Sequence, residues 1–250
     1  MTKDHTDRTE SFRTIIPNMI TSGNMLCGML SLVLSFHGHF VPAAWLIYIA
    51  VFFDFMDGKM ARKLGGSSSF GAELDSLADV VSFGVAPAMV MYGVYLRGFL
   101  GVTGAIVAAF FALCGALRLA RFNVRHADDS FQGLPIPAGG YFVVSFVVAG
   151  VYLHPAVMAA IVAATGILMI SSVPFGNLKA LKSGDLDRRK AAFLWVFTFL
   201  LFFVLKNRAP LAAILIYIAS GFLRFDWGDW LSVRSADEDE VAEEEVKVYR

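Results

Sequence analysis

The sequence predicts an all-α protein, a polytopic bundle of membrane-spanning helices, and three observations carry that reading. Hydrophobic residues make up 57% of the 250 and charged residues only 17%, with a mean hydropathy of +0.63. A soluble domain carries roughly 25% charged residues. Apolar runs recur along almost the whole chain, most of them near the roughly 20 residues that a helix needs to cross hydrocarbon. The alternating ten-residue segments of a membrane barrel are not seen. Twenty-one Lys and Arg balance 21 Asp and Glu, which argues against a nucleic-acid binder driven by overall basicity. Cys27 and Cys114 each sit in an apolar run and read as packed small residues rather than a disulfide or a zinc site.

Taken in order, the apolar segments are 17–37, 41–64, 71–97, 101–124, 136–153, 155–173, 191–205 and 209–224, about eight spans. The first six form the core of this map and the last two a further pair. Residues 1–13 mix acids and bases ahead of the first span and show no leader cleavage pattern, so that span is read as retained. The membrane domain is then 14–225, followed by a tail, 226–250, whose ADEDEVAEEE run is a solvated acidic segment. In this map every Lys and Arg except Arg97, Lys206 and Arg208 falls on one side. By the positive-inside rule that side is cytoplasmic, with both termini and the ends of spans 2, 4 and 6.

The chemistry is concentrated in one place. Between Glu10 and Asp128 the acids are Asp54, Asp57, Glu73, Asp75 and Asp79, at the end of span 2 and the start of span 3. An acid in a span costs several kcal/mol unless it is paired, hydrated or metal-bound. Asp54 and Asp57 are i,i+3 and Asp75 and Asp79 i,i+4, so each pair shares a helix face. The intervening LGGSSSFG is a turn that returns the helix antiparallel, so the pairs face each other. Clustered carboxylates need counter-charge, and hard oxygen ligands suit Mg²⁺, Mn²⁺ or Ca²⁺ rather than zinc. Gly58 and Ala61 fit tight helix packing as well as space for a ligand, and Gly71 fits a turn. Arg62 fits either a topology anchor or a bidentate phosphate partner.

From Asp54 to Asp79 the chain reads DFMDGKMARKLGGSSSFGAELDSLAD. It resembles the CDP-alcohol phosphotransferase family, matching the signature D-x2-D-G-x2-A-R-x8-G-x3-D-x3-D at every fixed position. The resemblance implies a six-helix membrane core, homodimeric, in the cytoplasmic membrane with its site open to the cytoplasm. It implies two divalent cations held by Asp54, Asp57, Asp75 and Asp79, with Asp79 as general base. Gly58, Ala61, Arg62 and Gly71 would line the pocket for CDP and pyrophosphate. Lys59 and Glu73 fall at variable positions.

Further segments are similar to bacterial and archaeal phosphatidylserine synthases. The first span opens IPNMITSGN, a P-N-x2-T-x2-N start, and SFGVAPA, LRLARFN and FQGLPIPAGG follow the signature. This resemblance implies CDP-diacylglycerol as donor, L-serine as acceptor and CMP as product. Asn18 and Thr21 could contact the nucleotide, or cap a helix after Pro17. Arg118 and Arg121 could hold the serine carboxylate, or anchor topology. Pro135 and Pro137 interrupt any helix there and fit a pocket-edge loop or an ordinary one. Two other readings stay open: another acceptor such as glycerol 3-phosphate or inositol phosphate, and a cation transporter, which would call for a repeated acidic half that is not seen.

Overall fold

The computed structural model describes residues 3–64, 68–124, 133–173, 175, 188–223, 225 and 230, and among them it is an all-α membrane bundle without strands. The acidic tail, apart from Trp230, lies outside the described residues. Among the described residues eight helical segments follow one another. These are α1 (Lys3–Phe36), α2 (Phe40–Leu64), α3 (Ser69–Leu96), α4 (Arg97–Val124), α5 (Ile136–Val148), α6 (Pro155–Ile170), α7 (Arg188–Leu205) and α8 (Ala209–Phe222).

The α1–α2 reversal is made by Gly38, at φ +80°. His39 N–H donates to Leu34 O at 2.9 Å and Gly38 N–H to Ser35 O at 3.0 Å, the paired bonds by which a left-handed residue closes a helix end. Gly150, at φ +63°, ends α5 in the same way. The two helices then pack closely because α2 turns small residues inward. Ala43, Ala44, Ile47 and Ala50 are fully buried, and Ser31 of α1 donates to Ala43 O at 2.9 Å. The stripe Ala43, Ile47, Ala50 continues at helical spacing to Asp54 and Asp57, so the acids occupy the bundle-facing side of α2. Trp45, Phe52 and Phe55 are exposed on the other side, as expected for lipid contact.

α3 departs from regular geometry in two wide turns, Val80–Val85 and Tyr92–Leu96. The first has a local cause. Pro87 has no N–H to give Phe83 O and its ring crowds that carbonyl. The helix widens instead, Ala86 N–H donating to Val81 O, five residues back. Gly101, at φ +50° and ψ −120°, breaks the helix inside α4, so the long apolar run begins there.

The span map needs adjustment in detail. Among the described residues, five helical runs are long and apolar enough to cross a membrane: Ile15–Phe36, Phe40–Ala61, Ser69–Leu96, Gly101–Val124 and Ala192–Phe222. The last joins α7 to α8 through a short turn at Lys206, itself at φ +47°. α5 and α6 have 13 and 16 residues. At about 1.5 Å per residue they fall short of the roughly 30 Å of hydrocarbon. α1 runs through Pro17, so Asn18 and Thr21 lie inside a helix and the capping reading is corrected. The segment read as a turn is helical from Ser69, after the Ser68 cap, because Ser68 Oγ accepts from Gly71 N–H at 3.0 Å.

Candidate active site

Three helices build the acidic site. α2 contributes Asp54 and Asp57, α3 contributes Asp75 and Asp79, and α1 holds both. Oxygens of Asp54, Asp57 and Asp75 all lie within 4.8 Å of one another. Such carboxylates repel strongly in a low-dielectric setting unless a cation sits among them. Asp75 Oδ1 is buried and has no hydrogen-bond partner among the described residues. An all-carboxylate donor set with an unsatisfied buried oxygen fits a hard divalent cation.

α1 reaches each acid-bearing helix with a polar side chain, one turn apart. Thr21 is 3% exposed, and its hydroxyl lies 2.8 Å from Asp57 Oδ2 and 3.1 Å from Pro17 O. One hydroxyl has one proton, and the shorter contact to a carboxylate is the stronger claim on it. Asn24 is fully buried and donates from Nδ2 to Asp79 Oδ1 at 3.2 Å. Ser82 in turn donates to Asn24 O at 3.0 Å. Close approach is possible because residue 28 is glycine: a Cβ there would meet Ser82 Oγ and come within 2.8 Å of Ser82 Cα. Asn18 stands beside Gly71, where a Cβ would lie 2.7 Å from Asn18 Oδ1. Gly71 is therefore a helical contact position.

Beside the acids is a cavity of about 230 Å³. Asp75, Ser76 and Asp79 line one wall, Arg118, Phe122 and Asn123 of α4 another, and Pro135 and Pro137 form the rim. Asn123 Nδ2 donates to Ser76 Oγ at 3.0 Å, closing α4 against α3. Arg118 Nε is buried without a hydrogen-bond partner among the described residues. Arg121 is exposed and donates from Nη1 to Ile170 O at 3.0 Å, away from the acids.

The other candidates fall near the site with less detail. Gly58 and Ala61 are half-buried on the last two turns of α2. Arg62 is on the same helix, and its side chain lies outside the described residues. Lys59 and Glu73 are exposed, Lys59 Nζ lying 6.0 Å over the Phe55 ring. Asn24, Ser76 and Asn123 carry contacts that sequence reasoning did not assign. A signal existed for two of them: Asn24 closes the P-N-x2-T-x2-N pattern and Asn123 ends LRLARFN.

Comparison with known proteins adds to this geometry. The sequence pattern of the CDP-alcohol phosphatidyltransferase family matches residues 14–178. The CDP-diacylglycerol–serine O-phosphatidyltransferase of Helicobacter pylori is 37% identical over 177 residues, covering 67% of this chain and 74% of that protein. The enzyme of the same name from Methanocaldococcus jannaschii is 42% identical over 161 residues, covering 64% and 73%. An archaetidylserine synthase from Methanothermobacter thermautotrophicus is 39% identical over 163 residues, covering 64% and 69%.

Proposed function

The chain belongs to the CDP-alcohol phosphatidyltransferase family, and from that premise we propose that it transfers the phosphatidyl group of CDP-diacylglycerol to L-serine, giving phosphatidylserine and CMP. The observation that carries the choice of acceptor is the cavity that joins the acids to Arg118. Serine presents a carboxylate, and a buried guanidinium with an unused donor suits it. Among the described residues lining that cavity Arg118 is the one cation. A phosphorylated acceptor such as glycerol 3-phosphate would call for more.

In this reading Arg118 fixes the carboxylate end of serine and Asp79 takes the proton from its hydroxyl. The freed oxygen attacks the phosphorus bearing diacylglycerol, a P–O bond to serine forms, and the P–O bond to CMP breaks. Asp54, Asp57 and Asp75, with Asp79 beside them, would hold two divalent cations, Mg²⁺ or Mn²⁺, with Ca²⁺ as another occupant. When bound, such ions neutralise pyrophosphate charge and favour departure of CMP. Thr21 keeps Asp57 turned toward its neighbours. Gly58, Ala61, Arg62, Gly71 and Asn18 border the donor's nucleotide and pyrophosphate, while the acyl chains stay in lipid.

The membrane domain at 14–225 then forms the catalytic unit, as a homodimer in the cytoplasmic membrane with both termini and the site facing the cytoplasm. The charge distribution over the span map supports that orientation. An acceptor panel tests the function: purified protein, CDP-diacylglycerol, Mn²⁺ or Mg²⁺ and each candidate alcohol, with CMP release as readout. Serine should be used at least tenfold better than glycerol 3-phosphate or inositol phosphate, and equal use of a phosphorylated acceptor would overturn the assignment.

A further inference from the structure

Asn24 is a fully buried carboxamide in a membrane helix, 55 positions from the aspartate it contacts. Its orientation is set by chemistry. Nδ2 faces Asp79 Oδ1, and a flipped amide would set oxygen against a carboxylate oxygen. The other end, Oδ1, is buried with no hydrogen-bond partner among the described residues. The residue thus leaves one polar atom unsatisfied while directing its donor at one carboxylate. Its own backbone is pinned to α3, because Ser82, three residues beyond Asp79, donates to Asn24 O. Glycine at 28 permits that contact, since a Cβ there would meet Ser82.

Asp79 itself has one oxygen on Asn24 and borders the acceptor cavity. It also stands outside the triplet of Asp54, Asp57 and Asp75, whose oxygens gather within 4.8 Å. A single tether of this kind restricts rotation of the carboxylate about its Cβ–Cγ bond. We propose that Asn24 is a positioning residue for Asp79, holding Oδ1 so that the second oxygen is aimed at the acceptor hydroxyl. This rests on the general-base reading of Asp79 given above. The competing role is plain helix-to-helix adhesion, a common use of asparagine in membranes.

The two roles separate in kinetics. Asn24→Leu keeps much of the shape and removes the donor. Positioning predicts a 10- to 100-fold lower kcat, with KM for serine, KM for CDP-diacylglycerol and Mn²⁺ affinity each within threefold of wild type. Because the effect runs through Asp79, adding Asn24→Leu to Asp79→Asn should slow the residual rate by less than twofold. A kcat within threefold of wild type overturns the proposal. So does a loss expressed mainly in either KM or in Mn²⁺ affinity, or one that multiplies with Asp79→Asn. If Asn24→Leu does not fold, Asn24→Ser, too short to reach Asp79, is judged by the same criteria. Failure of both to fold would make the residue structural. If Asp79→Asn itself turns over normally, the general-base reading fails instead, and the single variants distinguish the two failures.

Discussion

Arg118 and Arg121 stand one helical turn apart on α4 and serve different neighbours. Arg118 lines the cavity beside Asp79 with a buried Nε that has no hydrogen-bond partner among the described residues, whereas Arg121 reaches across to the last turn of α6 and donates to Ile170 O. A cation on the carbonyl end of a helix is favourable in its own right, so Arg121 has a structural use of its own.

The two should therefore differ sharply when each is replaced by Gln. Arg118→Gln should raise the KM for serine about 10- to 150-fold, from the loss of a charge-assisted hydrogen bond of roughly 1.5–3 kcal/mol. The KM for CDP-diacylglycerol should stay within about threefold. Arg121→Gln should leave serine kinetics nearly unchanged and cost about 1 kcal/mol of stability in detergent. Steady-state kinetics on both variants, with thermal unfolding, checks this. Swapped results would move the acceptor site to Arg121.

Asp57→Asn and Asp75→Asn each remove a charge from the carboxylate cluster with little change of shape. CMP release should drop below about a tenth of wild type, a loss of more than roughly 1.4 kcal/mol in the barrier. EDTA should abolish wild-type turnover and added Mn²⁺ should restore it. Retained activity in either variant would remove that aspartate from the essential set.

Thr21 presents a choice between holding Asp57 and touching the nucleotide. Thr21→Val deletes a hydrogen bond to a charged group, so Mn²⁺ should bind about tenfold or more weakly. Thr21→Ser should keep most of the affinity. If the hydroxyl works through Asp57, excess Mn²⁺ should restore the donor KM of Thr21→Val. A donor defect that persists at saturating metal would put Thr21 on the nucleotide.

Gly28→Ala would set a methyl group against the backbone of α3 at Ser82. Overpacking of this kind costs typically 1–3 kcal/mol, and here it also pushes α1 away from Asp79. Thermal midpoint and turnover should both fall. Pairing Gly28→Ala with Ser82→Ala should recover only part, since the new carbon would still crowd Ser82 Cα at 2.8 Å. Full activity in Gly28→Ala alone would mean that the helices can separate without harm.

The acids and their helix faces were legible in the chain because charge in an apolar run is costly and therefore conspicuous. Their grouping followed from spacings of three and four. The contacts made by Asn24 were not legible. A lone asparagine in a helix has many ordinary uses, and its partner is 55 positions away. Arg118 and Arg121 looked equivalent because three residues of helix turn a side chain back to within about 60°. What separates them is a neighbour, the end of α6, that no local pattern announces. The length of α5 was overestimated because hydropathy does not register a left-handed glycine such as Gly150, and α6 stops at Ile170, within its apolar run, where Ser171 turns extended.

The wide turn after Asp79 lets one helix satisfy two unrelated orientations. Ahead of it, Asp75 and Asp79 must face the cavity, and beyond it, Ala86, Val90 and Met91 must face the apolar core. One additional residue in a helical turn rotates everything that follows by about 100° relative to an uninterrupted α-helix. The bulge thus acts as a phase adjuster between the reactive end of α3 and its core-packed end. A chain lacking Gly84 would keep every acid and every apolar side chain but lose the angular offset between them.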